Sequence, residues 1–158
     1  MVAEEVFSRL KAHALEGMVF HDEMVRYYGF LNLDEWKYEH KHHYEDETRG
    51  YHELCDYYIN HYNMLIPHTP MNRPDVIPDS WYRYARQDVD TGTRRNAIEV
   101  GARKWVEWER QTKQVYQEAW KELIDIGEVA AAHFIAKYVC AVDDELKCAK
   151  KKYMTLDI

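Results

Sequence analysis

Glu47, Glu109 and Glu145 each fall inside the apolar stripe of a separate helical pattern, where a bare carboxylate is costly. At about 100° per residue, Glu47 shares its side with Leu33, Trp36, His40, Tyr51, Leu54 and Tyr58. Glu109 lies with Ile98, Ala102, Trp105, Val106, Tyr116, Trp120 and Leu123; Glu145 lies with Ala131, Phe134, Tyr138, Ala141, Val142 and Ala149. An ionised carboxylate left dry and unpaired costs several kcal/mol, against a whole-domain margin of about 5 to 15 kcal/mol. Three such groups require a metal ion, cationic or hydrogen-bonding partners, or protons.

Histidines complete a ligand set. His21 projects into the middle of the first apolar face, and His43 lies one turn before Glu47 on nearly the same face. Mixed imidazole and carboxylate donors suit borderline divalent ions, so His21, His43, Glu47, Glu109 and Glu145 are candidate ligands for iron, manganese or zinc. Oxidation of Fe(II) calls for two adjacent ions and about six ligands. In that arrangement Glu47 is the natural bridge, with Glu109 and Glu145 terminal.

The competing arrangement is a metal-free polar core. Lys113 sits one turn from Glu109 and Lys152 two turns from Glu145, both placed to reach inward as cations. The thirteen tyrosines offer hydroxyls to His40, His43 and the carboxylates. The only Glu-x-x-His, Glu39 and His42, projects to the solvent side of its helix and is set aside.

Periodicity and punctuation define the elements that must hold these groups. Helices are expected over about residues 3–29, 34–63, 93–126 and 128–153. Gly29 and Asn32 favour a turn, Asp34 is an N-cap candidate, and Gly127 is a tight stop. All four prolines fall between Pro67 and Pro78, inside a long connection from Leu65 to about Gly92 that holds one short helix after Ser80. Two short loops flanking one long connection make the first helix antiparallel to the second, the third antiparallel to the fourth, and the second parallel to the third. The fold class is therefore all-α, an antiparallel four-helix bundle with a long crossover between its second (B) and third (C) helices.

Antiparallel neighbours pair at equal distances from their connecting turn, which estimates height along the bundle. Glu109 and Glu145 lie nearly equally far from Gly127 and face each other. Glu47 comes level with Ala14, so the first helix offers no ligand at that height, while His21 comes level with His40 to His43. Histidines and glutamates thus form adjacent layers, offset by about 6 to 10 Å.

A chain of 158 residues, 46% hydrophobic and 14% aromatic, suits a single domain over 1–158. The formal charge of −7 argues against nucleic acid as a partner, and the Lys147, Lys150, Lys151 and Lys152 cluster reads as a solvated helix end. Cys55, Cys140 and Cys148 form no CxxC, which suits free thiols in a reducing compartment. The opening MVAEEVFSRLKAHALEG carries two early acids and no apolar run, so neither a signal peptide nor a membrane span is expected, and the localisation expected is cytoplasmic.

The stretches AIEVGARKWVEWERQTKQVYQEAWKEL and IDIGEVAAAHFIAKYVCAVDDEL resemble the third and fourth helices of ferritins, and DETRGYHELCDYY resembles their second. RYYGFLNLDEWKYEH is also similar to the DNA-protecting mini-ferritins, whose DNA-binding side this acidic chain lacks. The resemblance implies a ferritin-like bundle and a di-iron centre that oxidises Fe(II) with oxygen or peroxide, with Glu47, Glu109 and Glu145 at matching ligand positions. It also exposes departures: Gly50 stands at the second-helix histidine position, Ala14 at the first-helix glutamate position, and Val142 at the fourth-helix position.

The function expected is metal binding, iron first, with Fe(II) oxidation at an atypical carboxylate and histidine centre, mononuclear or di-iron, in a homo-oligomer. The alternative is a non-catalytic structural or interaction protein that keeps the bundle without the centre. A radical or oxygenase enzyme on the same scaffold is a third possibility.

Overall fold

A computed structural model describes residues 2–156, with side chains through Met154. Four long helices carry the chain: α1 (Val2–Phe30), α2 (Asp34–Tyr62), α3 (Thr91–Asp125) and α4 (Val129–Leu156). No strand occurs among the described residues, and no helix there is long and apolar enough to cross a membrane.

The helix boundaries follow from local chemistry. After α1, Asn32 adopts a left-handed φ of 58° while Gly29 stays helical, so the turn rests on the asparagine. The Leu33 and Asn32 amides return to the Tyr28 and Gly29 carbonyls at 3.0 and 3.2 Å, closing the helix end. Gly127 (φ 81°) does the same for α3, with Glu128 N bonding Leu123 O at 2.8 Å and Gly127 N bonding Ile124 O at 3.0 Å. Asp90 caps the start of α3 by accepting from Thr93 N at 2.6 Å.

Side-chain pairs give the relative directions. Along α1 and α3, His13 meets Thr112, His21 meets Glu109 and Tyr27 meets Ala97, so these helices run antiparallel. Along α2 and α4, Glu39 meets Lys152, Glu53 meets Tyr138 and Tyr57 stacks on Phe134, again antiparallel. Residues 63–90 join α2 to α3 and lie against α1: Lys11 Nζ bonds Ile66 O, Asn72 N bonds Glu16, Arg73 pairs with Glu23, and Trp81 stacks on Tyr27. This segment holds two short 3-10 turns, Asp79–Arg83 and Arg86–Asp88, where a single short helix was expected. Gly101 sets the α1 to α3 approach, because a methyl group there would overlap the Tyr28 hydroxyl and press on Tyr27.

Two apolar clusters form the core. One contains Phe7, Leu10, Leu54, Tyr58, Leu123 and Ile135; the other contains Met24, Tyr27, Tyr28, Leu31, Trp81 and Trp105. Between them, on all four helices, lies a polar layer: His13 and His21 on α1, His40, His43 and Glu47 on α2, Glu109 and Thr112 on α3, and Glu145 on α4.

Candidate metal centre

Three imidazoles meet first. His21 and His40 are fully buried and face each other Nδ1 to Nδ1 at 3.0 Å, so one donates and the other accepts. His43 completes the group, its ring centroid 5.3 Å from that of His21. Burial, reinforced by His40 and His43, holds His21 well below the usual imidazole range; burial, His43 and Lys152 do the same to His40. Both rings are neutral at neutral pH, the form in which imidazole binds a metal.

The carboxyls come next. Glu109 is fully buried, accepts from Trp105 Nε1 at 3.2 Å, and places Oε1 3.8 Å from His21 Nε2. The imidazole and carboxylate layers are therefore in contact, closer than the axial offset counted from sequence. Burial, then Glu145 and Glu47, push Glu109 well above the carboxylate range. Burial, then Glu145 and Asp46, push Glu47 up to about 8. Glu47 is half-buried because one side of it faces a cavity. Burial also raises Glu145, with His43 and Glu109 acting in the opposite direction. On α1 the residue against Glu47 is Gly17, not Ala14: a Cβ built at Gly17 would lie 3.1 Å from Glu47 Oε2. Absence of a side chain there lets the carboxyl rest on the helix backbone.

A third grouping joins the two layers. One ring nitrogen of His43 and one carboxylate oxygen each from Asp46 and Glu145 lie within 4.8 Å of one another. His43 Nε2 is 3.2 Å from Glu39 Oε1, and Lys152 Nζ is 2.8 Å from the other Glu39 oxygen. Burial would raise Glu39, but Lys152 and then His43 outweigh it and hold the carboxyl below its ordinary value. An ionised Glu39 only accepts, so His43 Nε2 carries a proton and Nδ1 is the ring atom left for a ligand. A ligating histidine is ordinarily oriented in this way, by giving its far N–H to a carboxylate.

These residues fit a metal on a structural ground. His21 Nε2, His40 Nε2, His43 Nδ1 and Glu109 Oε2 are buried with no hydrogen-bond partner among the described residues, a costly state for several groups in one layer. The partners required for a metal-free core are committed elsewhere. Lys113 pairs with Asp143 at 2.8 Å and Lys152 with Glu39, neither with the central glutamates. Tyr138 donates to Glu53 and Tyr62 to Glu128, while the hydroxyls of Tyr28, Tyr57 and Tyr58 meet no hydrogen-bond partner among the described residues and so do not bond the central carboxyls.

Of the five residues expected from sequence, His21, His43, Glu47, Glu109 and Glu145 all lie in this one layer. The structure also changes the reading of Glu39 and Trp120 and adds Asp46. Glu39 is half-buried and orients His43, although its neighbour in the Glu-x-x-His, His42, is exposed as expected. Trp120, placed on the inward stripe with Glu109, is 42% exposed. Asp46, off the stripe, enters the centre; its spacing one turn after His43 was the only signal for it. A neighbouring pair also went unread: His13 Nε2 bonds Thr112 Oγ1 at 2.8 Å, and His13 stacks on Trp108 at 4.7 Å.

No protein-family model, no curated protein and no solved structure matches this chain.

Proposed function

We propose that the chain is a ferritin-like metal protein, binding a divalent transition ion, iron first with manganese and zinc as alternatives, through His21, His43, Asp46, Glu47, Glu109 and Glu145. The observation that carries this reading is the set of ring nitrogens that are buried and unpartnered among the described residues, beside carboxyls from which Lys113 and Lys152 are drawn away by other partners. The antiparallel helix pairs and the long segment lying along α1 support a ferritin-like bundle with a crossover between α2 and α3. The chemistry such an ion supplies is electron transfer from Fe(II) to oxygen or peroxide, and this chain's residues set its surroundings.

Adding Asp46 to the five expected donors gives the about six that two adjacent ions require. Glu145, which interacts with Glu109 and belongs to the His43 and Asp46 group, would hold an ion together with those residues. The neutral histidines donate lone pairs, Trp105 orients Glu109 through its N–H, and Glu39 fixes the His43 tautomer. Glu47 and Glu109 hold protons in the ion-free protein and release them when an ion binds.

The test is addition of Fe(II) without oxygen, followed by air. A ferric absorbance that Glu109→Ala or Glu47→Ala abolishes is expected; an unchanged spectrum in the unmodified protein overturns the oxidase part of the reading. One observation favours a second reading, a metal-free interaction protein: burial keeps Glu47 and Glu109 protonated, so protons alone can neutralise them. Self-association is compatible with either, given the exposed Met64, Leu65 and Val129.

A further inference from the structure

The seam between α2 and α4 differs from the other helix contacts. The backbones of α1 and α2, α3 and α4, and α1 and α3 approach closely, whereas α2 and α4 are bridged mainly by long side chains. Above the centre the bridge is Glu39 to Lys152, and below it Tyr138 to Glu53. Between these bridges lies a cavity of about 290 Å³ whose wall includes Glu47, Gly50, Tyr138, Val142 and Glu145. It has room for an ion with water around it. A Cβ built at Gly50 would meet only Tyr138, at 3.8 Å, so the missing side chain leaves the opening clear.

Charge is arranged along this path. Asp46 lines the cavity and belongs to the group with His43 and Glu145, yet its carboxylate is also in contact with the Arg49 guanidinium on the same helix. Arg49 is 63% exposed and therefore able to swing away, while Asp46 is anchored nearer the interior. Glu53 adds a fourth carboxylate to the cavity wall, after Asp46, Glu47 and Glu145. Acidic groups lining a narrow opening attract cations, and the one cation in that lining already occupies a carboxylate a metal would use.

We propose that the α2 to α4 slot at Gly50 is the port by which a divalent cation reaches the centre, with Asp46 as the receiving carboxylate and Arg49 as the internal cation it displaces. This rests on the metal-binding reading above. Arg49 acts as a gate: monovalent ions do not compete well with a guanidinium held at contact distance, while a divalent ion offered His43 and Glu145 as further donors does.

Stopped-flow mixing of the chelator-stripped full chain with Co(II), read by its visible absorbance, tests the port. Arg49→Gln is expected to speed association by roughly 3- to 10-fold and to tighten binding, since it removes the guanidinium from Asp46 and leaves only the His42 ring, 3.6 Å away, beside that carboxylate. Gly50→Leu, which fills the slot, is expected to slow association about tenfold or more while leaving equilibrium affinity within about threefold. Binding in the unmodified protein with rates unchanged in both variants overturns the port and leaves the metal reading standing. No binding in the unmodified protein overturns both. Should Gly50→Leu fail to fold, the surface variant Arg49→Gln decides alone: a rate equal to or slower than that of the unmodified protein contradicts the gate.

Discussion

His43 and Glu39, one turn apart on α2, are joined at 3.2 Å from Nε2 to Oε1, and that bond selects the ring nitrogen left for a metal. Lys152 from α4 keeps Glu39 ionised, so the orientation of a central side chain depends on an ion pair between two helices. Removing Glu39 releases the ring. Glu39→Ala is expected to lower metal affinity about 10- to 100-fold with helix content unchanged, measured by competition with a chromophoric chelator.

The protonated carboxyls give a pH dependence with a definite sign in the ion-free protein. Glu47 rises from 4.5 to about 8 on folding, so its stabilising contribution is complete below about 4.5 and is lost as pH rises through about 8. His13, lowered from 6.5 to about 4 by burial, contributes in the opposite sense: fully above 6.5, lost as pH falls through about 4. Above pH 6.5 the His13 contribution is flat, and that of Glu47 still changes. Stability of the ion-free protein should therefore fall between pH 6.5 and 8, by on the order of 1 to 2 kcal/mol for Glu47 alone, and Glu47→Gln should flatten that fall in urea titrations.

Gly17 separates the stability of α1 from the position of Glu47. Alanine is the better helix former by about 1 kcal/mol, but its methyl would lie 3.1 Å from Glu47 Oε2. Gly17→Ala should leave thermal stability equal or slightly raised while weakening metal binding, a split that calorimetry and metal titration on one sample will reveal. A matched loss of both would contradict the role given to Gly17.

Lys113 distinguishes the two ways of neutralising the layer. It pairs with the half-exposed Asp143, so Lys113→Ala should cost less than about 1 kcal/mol and leave metal affinity unchanged. A loss of several kcal/mol, expected where a buried carboxylate loses its only cation, would restore the lysine-neutralised core.

Much of this was legible in the residues. The four long helices were readable because apolar spacing at helical period is strong over 25 or so residues, and Gly127 marks the end of α3 with specific backbone chemistry. The glutamates were readable because a carboxylate inside an apolar stripe stands out. Asp46 and Glu39 were not, since angular projection treats every seam as equally tight and says nothing of one spread wide enough to admit residues beside the stripe. Glu47 was matched to Ala14 rather than Gly17 because counting from a turn assumes that both helices start level with it, and the residue it meets lies nearly one turn away from that count. Trp120 was misplaced for a related reason: the stripe at Glu109 does not run straight along a helix as long as α3, and at Trp120 the surface is open.

The central claim is that this layer holds a transition metal, and metal content per chain tests it most directly. Protein purified without chelator, stripped, reloaded with a divalent transition ion, desalted and measured by elemental analysis should carry at least about one ion per chain. His43→Ala combined with Glu109→Ala should carry almost none while remaining helical. Equal, substoichiometric metal in both proteins would contradict the account and leave a buried polar layer neutralised by protons alone.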